Sequence, residues 1–244
     1  MKTENAATTR HSMAARAAIG VMMFALGCSE DVFDVNVELA DAFAVDFGSA
    51  SGTIPTVTCD AQNPAICGEG VVVEFMGAPG QATITPGCDG ATAHCFAQAD
   101  ARVTYTVDAL QDASFTSKVG RQAVKLVRKV DVAITIPTNT MTFEIPEIDI
   151  FVGPPGTQQP SDPGVFPVDI VRSIAAGATI AAPEARHILV PDGSPAHDLI
   201  ESSITSKTPF VFLLTLAPRL ESGAALPAGM LAVEIKTLMG LGLR

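Results

Sequence analysis

The chain has 244 residues, with 26 Asp and Glu against 15 Lys and Arg, and a formal net charge of −11 at pH 7. This acidity repels phosphate backbones, so nucleic-acid binding is disfavoured. One Tyr and no Trp make carbohydrate binding and sugar chemistry improbable, because glycosidases generally stack sugars on aromatic rings beside their paired carboxylates.

The first 30 residues have the pattern of an export signal. Basic residues up to Arg16 precede an apolar run at residues 17–26, and small residues follow it. The run is too short for a transmembrane helix, which takes about 20 apolar residues. We therefore predict a signal peptide over residues 1–27. The natural start is either Met1 or Met13. Met13 is an alternative because a signal peptide that begins there is complete and more compact.

Residues 13–30 resemble the signal and lipobox of bacterial lipoproteins, read here as Ala25, Leu26, Gly27 and Cys28. The family usually has Leu three places before the Cys, where this chain has Ala25. Ala25 and Gly27 also fit ordinary signal peptidase cleavage, which remains the alternative. The resemblance implies acylation of Cys28, a lipidated tether at residues 28–32 and the lipid bilayer as partner. Ser29, in place of Asp, implies sorting to the outer membrane.

The chain has five cysteines, and an odd cysteine in an exported protein needs an explanation. Acylation of Cys28 would leave two pairs among Cys59, Cys67, Cys88 and Cys95. No Cys-x-x-Cys knuckle is present, and an oxidising compartment favours disulfides over zinc, although His94 beside Cys95 hints at a metal. Three pairings are possible. We favour Cys59–Cys67 and Cys88–Cys95, because both intervals look like loops closed on themselves.

Alternating apolar residues predict a mainly β body over residues 33–244. Strands are predicted at residues 33–47 (one strand, or two with a kink near 40–42), 71–75, 82–85, 103–107, 130–136, 141–145, 148–152, 168–171, 186–190, 210–216 and 231–235. Residues 48–68 and 153–164 are expected to be loops. The turn at residues 137–140 predicts a hairpin between its flanking strands. A change of apolar phase at Pro146 predicts a β-bulge or a strand crossover there.

Two short helices are predicted among these strands. The first covers residues 117–128, where apolar residues fall at helical spacing. Its basic side chains, which we interpret as a solvated face, are Lys118, Arg121, Lys125, Arg128 and Lys129. The second helix follows an N-cap at Ser194 and Pro195 at its first position. Its packed face is predicted to contain Ala196, Leu199, Ile200, Ser203 and Ile204.

These elements predict an all-β fold, mainly an antiparallel immunoglobulin-like β-sandwich with one or two short helices. The apolar run Phe210–Leu216 should be a central strand, and a subdivision would fall near residues 110–118. Residues 168–216 give a strand, an Ala-Gly turn, a strand, a short helix and a hydrophobic strand. This order resembles the immunoglobulin-like domains of late-embryogenesis-abundant type 2 proteins, and no site residue is carried over.

Catalytic patterns are absent from the sequence. There is no Gly-x-Ser-x-Gly, and Ser173, Ser194 and Ser222 lack the strained turn of a nucleophile. His187 and His197 are interpreted as packed or solvated residues rather than bases. Three carboxylates could offer oxygens to Ca²⁺, but edge protection is the simpler interpretation. They are Glu144, Glu147 and Asp149. No nucleotide-binding motif occurs.

We accordingly predict no catalytic residue, no cofactor and no metal site, and no enzyme activity. The expected function is that of a cell-envelope lipoprotein with a non-catalytic binding or structural role, in which a protein partner is conceivable. The alternative is a carrier of a hydrophobic ligand or lipid, motivated by 48% hydrophobic residues and a mean hydropathy of +0.34. An unrecognised hydrolase is the third hypothesis.

Overall fold

The described part of the chain contains eleven strands and two α-helices. A computed structural model describes residues 33–47, 52–74 and 80–243. The strands are β1 (Phe33–Asp46), β2 (Val71–Glu74), β3 (Gly80–Asp89), β4 (His94–Val107), β5 (Val124–Asn139), β6 (Ile148–Gly153), β7 (Phe166–Val171), β8 (Arg186–Val190), β9 (Phe210–Leu216), β10 (Arg219–Leu220) and β11 (Met230–Leu243). The helices are α1 (Ala113–Val119) and α2 (Pro195–Ser206), with short 3-10 helices at Pro64–Cys67 and Ala182–Glu184.

The strands form two antiparallel sheets. One has four strands in the order β1-β11-β5-β8. The other has seven, in the order β2-β3-β4-β9-β6-β7, with β10 paired to β4. One main core contains residues from both sheets, such as Val37 and Ile235 from the first and Val103 and Phe212 from the second. The predicted all-β antiparallel sandwich with short helices is therefore confirmed.

A second, smaller core lies over part of the seven-stranded sheet. Along β4, the odd-numbered residues from Cys95 to Val107 are all buried, so they share one face of the sheet. Residues 101–107 of that face pack in the main core, whereas Cys95, Ala97 and Ala99 pack with Ile54 and Leu220. Irregular segments before β2 and after β10 thus cover the end of the sheet where the small core lies.

The first predicted strand is continuous. β1 pairs residue for residue with β11, from Phe33 opposite Leu243 to Asp46 opposite Met230, without a register shift. The polar Asp41 that interrupts the apolar pattern stays within the strand, opposite Ile235. The one-strand interpretation is therefore correct, and the kink near residues 40–42 is absent.

The predicted helix at residues 117–128 is wrong in its position. α1 begins earlier, because the Asp112 side chain accepts a hydrogen bond from the Phe115 N–H at 2.8 Å, and it ends at Gly120 in a left-handed conformation (φ 58°). β5 starts at Val124. Register shifts against β11 between Gly240 and Leu241 and between Gly242 and Leu243 mark bulges. Bulges place residues 124, 127 and 130 on one face, and this spacing imitates a helix.

The predicted hairpin between residues 130–136 and 141–145 is also wrong. β5 continues to Asn139, whose amide donates to the carbonyl of Ala178 at 2.8 Å while its Oδ1 accepts from the Met141 N–H. The chain then crosses to the other sheet, with only an isolated bridge between Ile145 and Ile174. Met141 and Ile145 alternate as in a strand because they pack in the core while Thr142 and Glu144 between them are exposed. The phase change at Pro146 is thus a crossover.

Helix α2 and strand β9 agree with their predictions. Ser194 caps α2, since its hydroxyl accepts from the His197 N–H at 3.2 Å, and Pro195 is the first helical residue. Ala196, Ile200 and Ile204 are buried on the packed face. β9 lies between β4 and β6, and residues 210–214 are all buried. The apolar run was recognisable because both faces of this strand are covered.

Candidate functional site

The predicted lipidation site lies outside the described residues. Cys28 and the signal at residues 1–27 precede Phe33, where the description begins. Within the described ranges, no helix combines the length and hydropathy needed to cross a bilayer. The anchor therefore stays a prediction from the sequence.

The other four cysteines form two disulfides. Cys59 is bonded to Cys88 and Cys67 to Cys95, with Cα–Cα distances of 5.8 and 5.4 Å. Disulfide formation was predicted, but the favoured pairing of neighbours in sequence is wrong. Cys88 and Cys95 do face each other across the β3–β4 hairpin. Each instead bonds to the segment that lies over that hairpin, because this segment brings its own two cysteines against the same face.

Backbone contacts fix that segment, residues 52–67, which we call the disulfide cover. The Cys59 N–H donates to the Ala93 carbonyl at 3.0 Å, and Thr58 forms a bridge with His94 at the hairpin end. Ile54 exchanges hydrogen bonds with Ala224 and Gly223 in the loop after β10. The two disulfides therefore fasten a cover over the small core, which has few large apolar residues of its own.

Arg219 lies at the edge of the small core, next to the β3–β4 turn. Its guanidinium lies 4.1 Å from the centre of the Phe96 ring and contacts Asp89 at 2.5 Å and Glu221 at 2.9 Å. The backbone N–H of Ala91, followed by the Arg219 guanidinium, holds the pKa of Asp89 below its usual value. These contacts use a charged cluster to hold the β3–β4 turn to β10, which gives the cluster a structural role.

An apolar cavity of about 50 Å³ lies between the two sheets. Every residue that lines it is apolar, and the lining comes from both sheets and from the crossover. Representative lining residues are Phe43, Val103, Ile134, Met141, Ile174 and Leu214. Phe47 and Phe143, both partly buried, pack edge to face beside it with their centroids 6.2 Å apart. Its chemistry suits a hydrocarbon group, but its volume accommodates only a small one.

The three histidines after residue 27 are placed in three different settings. His94 is exposed at the start of β4, in the opposite phase to the buried Cys95, so the two do not share a site. His187 on β8 places Nδ1 3.0 Å from Asp131 Oδ1, and Lys129 Nζ lies 3.1 Å from the other carboxylate oxygen. His197 on α2 is buried. None of the three lies beside a described serine in a nucleophile–base arrangement.

Two of the three serines considered as nucleophiles have hydroxyl groups with structural contacts. The Ser194 hydroxyl caps α2, and the Ser222 hydroxyl donates to the Pro55 carbonyl at 3.0 Å. The three carboxylates considered for Ca²⁺ are all exposed. Neither cluster of possible metal ligands found among the described residues, with ligand atoms within 4.8 Å of one another, includes any of them. They are Glu144, Glu147 and Asp149.

The predicted basic face is divided between α1 and β5. Lys118 Nζ donates to the Asn36 carbonyl at 2.9 Å, and Arg128 forms an ion pair with Asp34 at 2.9 Å. Both contacts tie these elements to β1, the edge strand of the four-stranded sheet. Lys118 and Arg128 thus protect an edge, and the basic residues do not form one stripe.

Two groups of possible metal ligands occur among the described residues. The first is Cys59, Cys67 and Cys95, which the disulfides occupy. The second is His197, Asp198 and Glu201 on α2, whose ligand atoms lie within 4.8 Å of one another. Sequence reasoning missed this second group. Its only local signal is the spacing on a predicted helix, in which Glu201 follows His197 by four residues and Asp198 by three and is therefore a neighbour of both.

Comparisons with known proteins assign no family. No family model and no curated protein matches the chain. A solved structure titled Desmodium yellow mottle tymovirus aligns over 99% of this chain and 96% of that chain, at 7% identity and a TM-score of 0.29. A likeness this weak carries no argument about fold or function.

Proposed function

We propose that this chain is a lipoprotein of the bacterial cell envelope, anchored in the outer membrane through Cys28, whose sandwich has a non-catalytic binding or structural role. The observation that carries the proposal is the use of the cysteines. Four of the five are joined in two disulfides, which persist in oxidising compartments outside the cytoplasm. Cys28 is the one that remains, and it follows the signal-like segment at the position that lipoproteins acylate.

The arrangement of polar side chains supports a non-catalytic role. The imidazole of His187 is engaged by Asp131, and the hydroxyl of Ser194 caps a helix. Hydrolysis by a side-chain nucleophile needs that nucleophile, a base and an orienting group within hydrogen-bond reach of one another. The described residues do not supply such a set, which supports binding or structure over chemistry.

The carrier of a hydrophobic ligand is the second candidate, because the inter-sheet cavity is lined by apolar residues alone. Its volume of about 50 Å³ opposes this function. A cavity of roughly 150 Å³ is the size that accommodates benzene, so an acyl chain would require the sheets to separate. Extraction of the purified protein with organic solvent distinguishes the two candidates. The lipoprotein proposal expects little non-covalent lipid, whereas one equivalent of fatty acid would favour the carrier.

The anchor is tested by replacing Cys28 with Ala. Two acyl chains give stable membrane binding, at about 0.8 kcal/mol per buried CH₂. Wild type should incorporate labelled palmitate and enter the detergent phase, and Cys28→Ala should do neither while keeping both disulfides. Ser29→Ala is the matched control and should still be labelled. Wild-type protein without label in the aqueous phase would instead establish ordinary secretion.

Sorting is tested at the next residue. The resemblance to lipoproteins implies that Asp after the acylated cysteine retains the protein in the inner membrane. Ser29→Asp should therefore still take up palmitate but move from the outer-membrane to the inner-membrane fraction on a sucrose gradient. If the variant stays with wild type in the outer membrane, the sorting part of the proposal is wrong and the anchor is unaffected.

A further inference from the structure

The imidazole of His197 is buried without a hydrogen-bond partner. It lies in the first turn of α2 and is 2% exposed, and neither Nδ1 nor Nε2 has a partner. The carboxylate of Asp192 is 3.7 Å from Nδ1, which is beyond hydrogen-bond range. Buried polar atoms are nearly always satisfied. Two orphaned nitrogens on one ring therefore call for a partner that the protein chain does not supply.

Two carboxylates of α2 lie close to this ring. The ligand atoms of His197, Asp198 and Glu201 lie within 4.8 Å of one another. The Asp198 side chain is exposed and that of Glu201 is half-buried, so the group reaches from the interior to solvent. Neither carboxylate forms an ion pair with Lys or Arg in the described ranges. Their negative charge is thus available to a cation.

Glu201 is already oriented by the sandwich. Its Oε1 accepts a hydrogen bond from the Val127 N–H of β5 at 3.0 Å, which leaves Oε2 free. A backbone donor that fixes a carboxylate in this way is typical of the outer shell of a metal site. Asp192 offers a further carboxylate beside the ring, as a fourth ligand, on a side chain that is 87% exposed and free to move. It can complete the coordination or accept the proton of the ring nitrogen that does not bind the ion.

We propose that His197, Asp198 and Glu201 bind a divalent transition-metal ion, with Zn²⁺ as the representative ion. One imidazole and two carboxylates form a donor set that zinc uses in proteins, with bonds of about 2.0–2.2 Å. Such bonds require ligand atoms roughly 3.3 Å apart in a tetrahedral site. The Asp198 carboxylate can close the remaining distance by a change of rotamer, since it is exposed. Binding would satisfy one nitrogen of His197 and neutralise the carboxylates.

The test uses the full-length protein, purified in detergent with a tag that lacks histidine and freed of metal with EDTA. Titration with ZnCl₂ in a calorimeter should give one equivalent of tight binding, and Co²⁺ should produce the visible absorption of a low-coordinate site. Asp198→Asn and Glu201→Gln should each weaken Zn²⁺ binding at least about tenfold. Gln at position 201 can still accept from the Val127 N–H, so this variant should fold.

His187→Gln is the matched control, because His187 is the other histidine next to a carboxylate, and its affinity for Zn²⁺ should equal that of wild type. The proposal is overturned if wild type shows no one-equivalent binding. It is also overturned if Asp198→Asn and Glu201→Gln bind as tightly as wild type, or if His187→Gln loses the binding. Circular dichroism of each variant establishes that an observed loss comes from the ligand and not from unfolding.

Discussion

Asp131 lies on β5 with 12% of its side chain exposed, between Lys129 and His187. Partial burial raises the pKa of Asp131, but the hydrogen bonds from His187 and Lys129 outweigh it, and the pKa lies below the ordinary 3.8. A lowered pKa means that folding favours the ionised carboxylate. Its stabilising effect is therefore complete above the ordinary value and is lost as the pH falls through the folded value.

We expect Asp131→Asn to lower the free energy of unfolding by about 1 kcal/mol at pH 7, since the side chains of Lys129 and His187 are largely exposed and their interactions with the carboxylate are screened. The difference from wild type should shrink below about pH 4, as the wild-type carboxylate becomes protonated. Thermal melts of both proteins from pH 7 to pH 3 measure this. Asp149→Asn, at an exposed carboxylate, serves as the control and should match wild type. A difference that stays constant with pH would contradict the assignment.

Tyr105 is the only tyrosine in the chain and the chain has no tryptophan, so its ionisation can be followed by ultraviolet absorption. It is buried on β4 and stacks on Phe212 at 6.3 Å. Burial, followed by the charges of Asp41 and Asp112, raises the pKa of Tyr105 to about 12. Its contribution to stability is present below pH 10 and is lost as the pH rises towards 12.

A spectrophotometric titration should therefore give a midpoint of about 12 in the folded protein and close to 10 in guanidinium chloride. Circular dichroism at each pH establishes that the fold persists. A midpoint near 10 in the folded protein would show that the ring is solvated, and would place β4 differently from the sheet described above.

Some contacts of single residues could be predicted from the sequence and others could not. Ser194 was identifiable as an N-cap because a cap and its helix are neighbours in sequence. The burial of His197 and the bonding of Cys59 to Cys88 depend on elements that are distant in the chain. No local pattern reports such contacts, so the candidate metal site and the disulfide pairing emerge only from the fold.

At the scale of elements, β9 makes the most direct test of the core. Phe212 is 1% exposed in the middle of this strand, with Phe210 5.5 Å away and Tyr105 on the adjacent strand. Phe212→Asp should lower the free energy of unfolding by several kcal/mol, since it removes a large apolar group and buries an unpaired charge. Urea denaturation of the purified protein measures the loss.

Val72→Asp is the matched control for that substitution. Val72 is 60% exposed on β2, at an edge of the same sheet and opposite the uncharged Thr83. The same change of chemistry should there cost within about 0.5 kcal/mol, as is usual for exposed positions. Equal effects of the two substitutions would mean that β9 is not a central strand.

Elements were predictable where their signal was local and regular. β1, α2 and β9 fit this description, and their periodicity or their caps lie within the element itself. β5 does not, because bulges opposite Gly240 and Gly242 give its residues the spacing of a helix. The crossover after Asn139 likewise alternates like a strand, because one side of it packs on the core while Thr142 and Glu144 on the other side are exposed. In both places the elements that pack against the segment, and not the sequence of the segment itself, determine its structure.

At the scale of the whole molecule, both the disulfides and the proposed lipid anchor depend on cysteines. The disulfide cover fastens a region whose small core is made largely of cysteine and alanine, with Ile54, Ile84 and Leu220 as its larger apolar residues. Each disulfide closes a loop of about 30 residues, and such crosslinks stabilise by roughly 3–4 kcal/mol. This dependence fits a protein that folds outside the cytoplasm, where Cys28 would be acylated and the other four oxidised.

The state of all five cysteines is therefore the most direct test of the proposed function. The full chain, purified from membranes without reducing agent, is digested and its peptides are identified by mass spectrometry. We predict a mature N-terminus at Cys28 that carries a diacylglyceryl group, with Cys59 linked to Cys88 and Cys67 to Cys95. An unmodified Cys28 within an intact N-terminal segment, together with free thiols at the other four positions, would contradict both the export and the anchor.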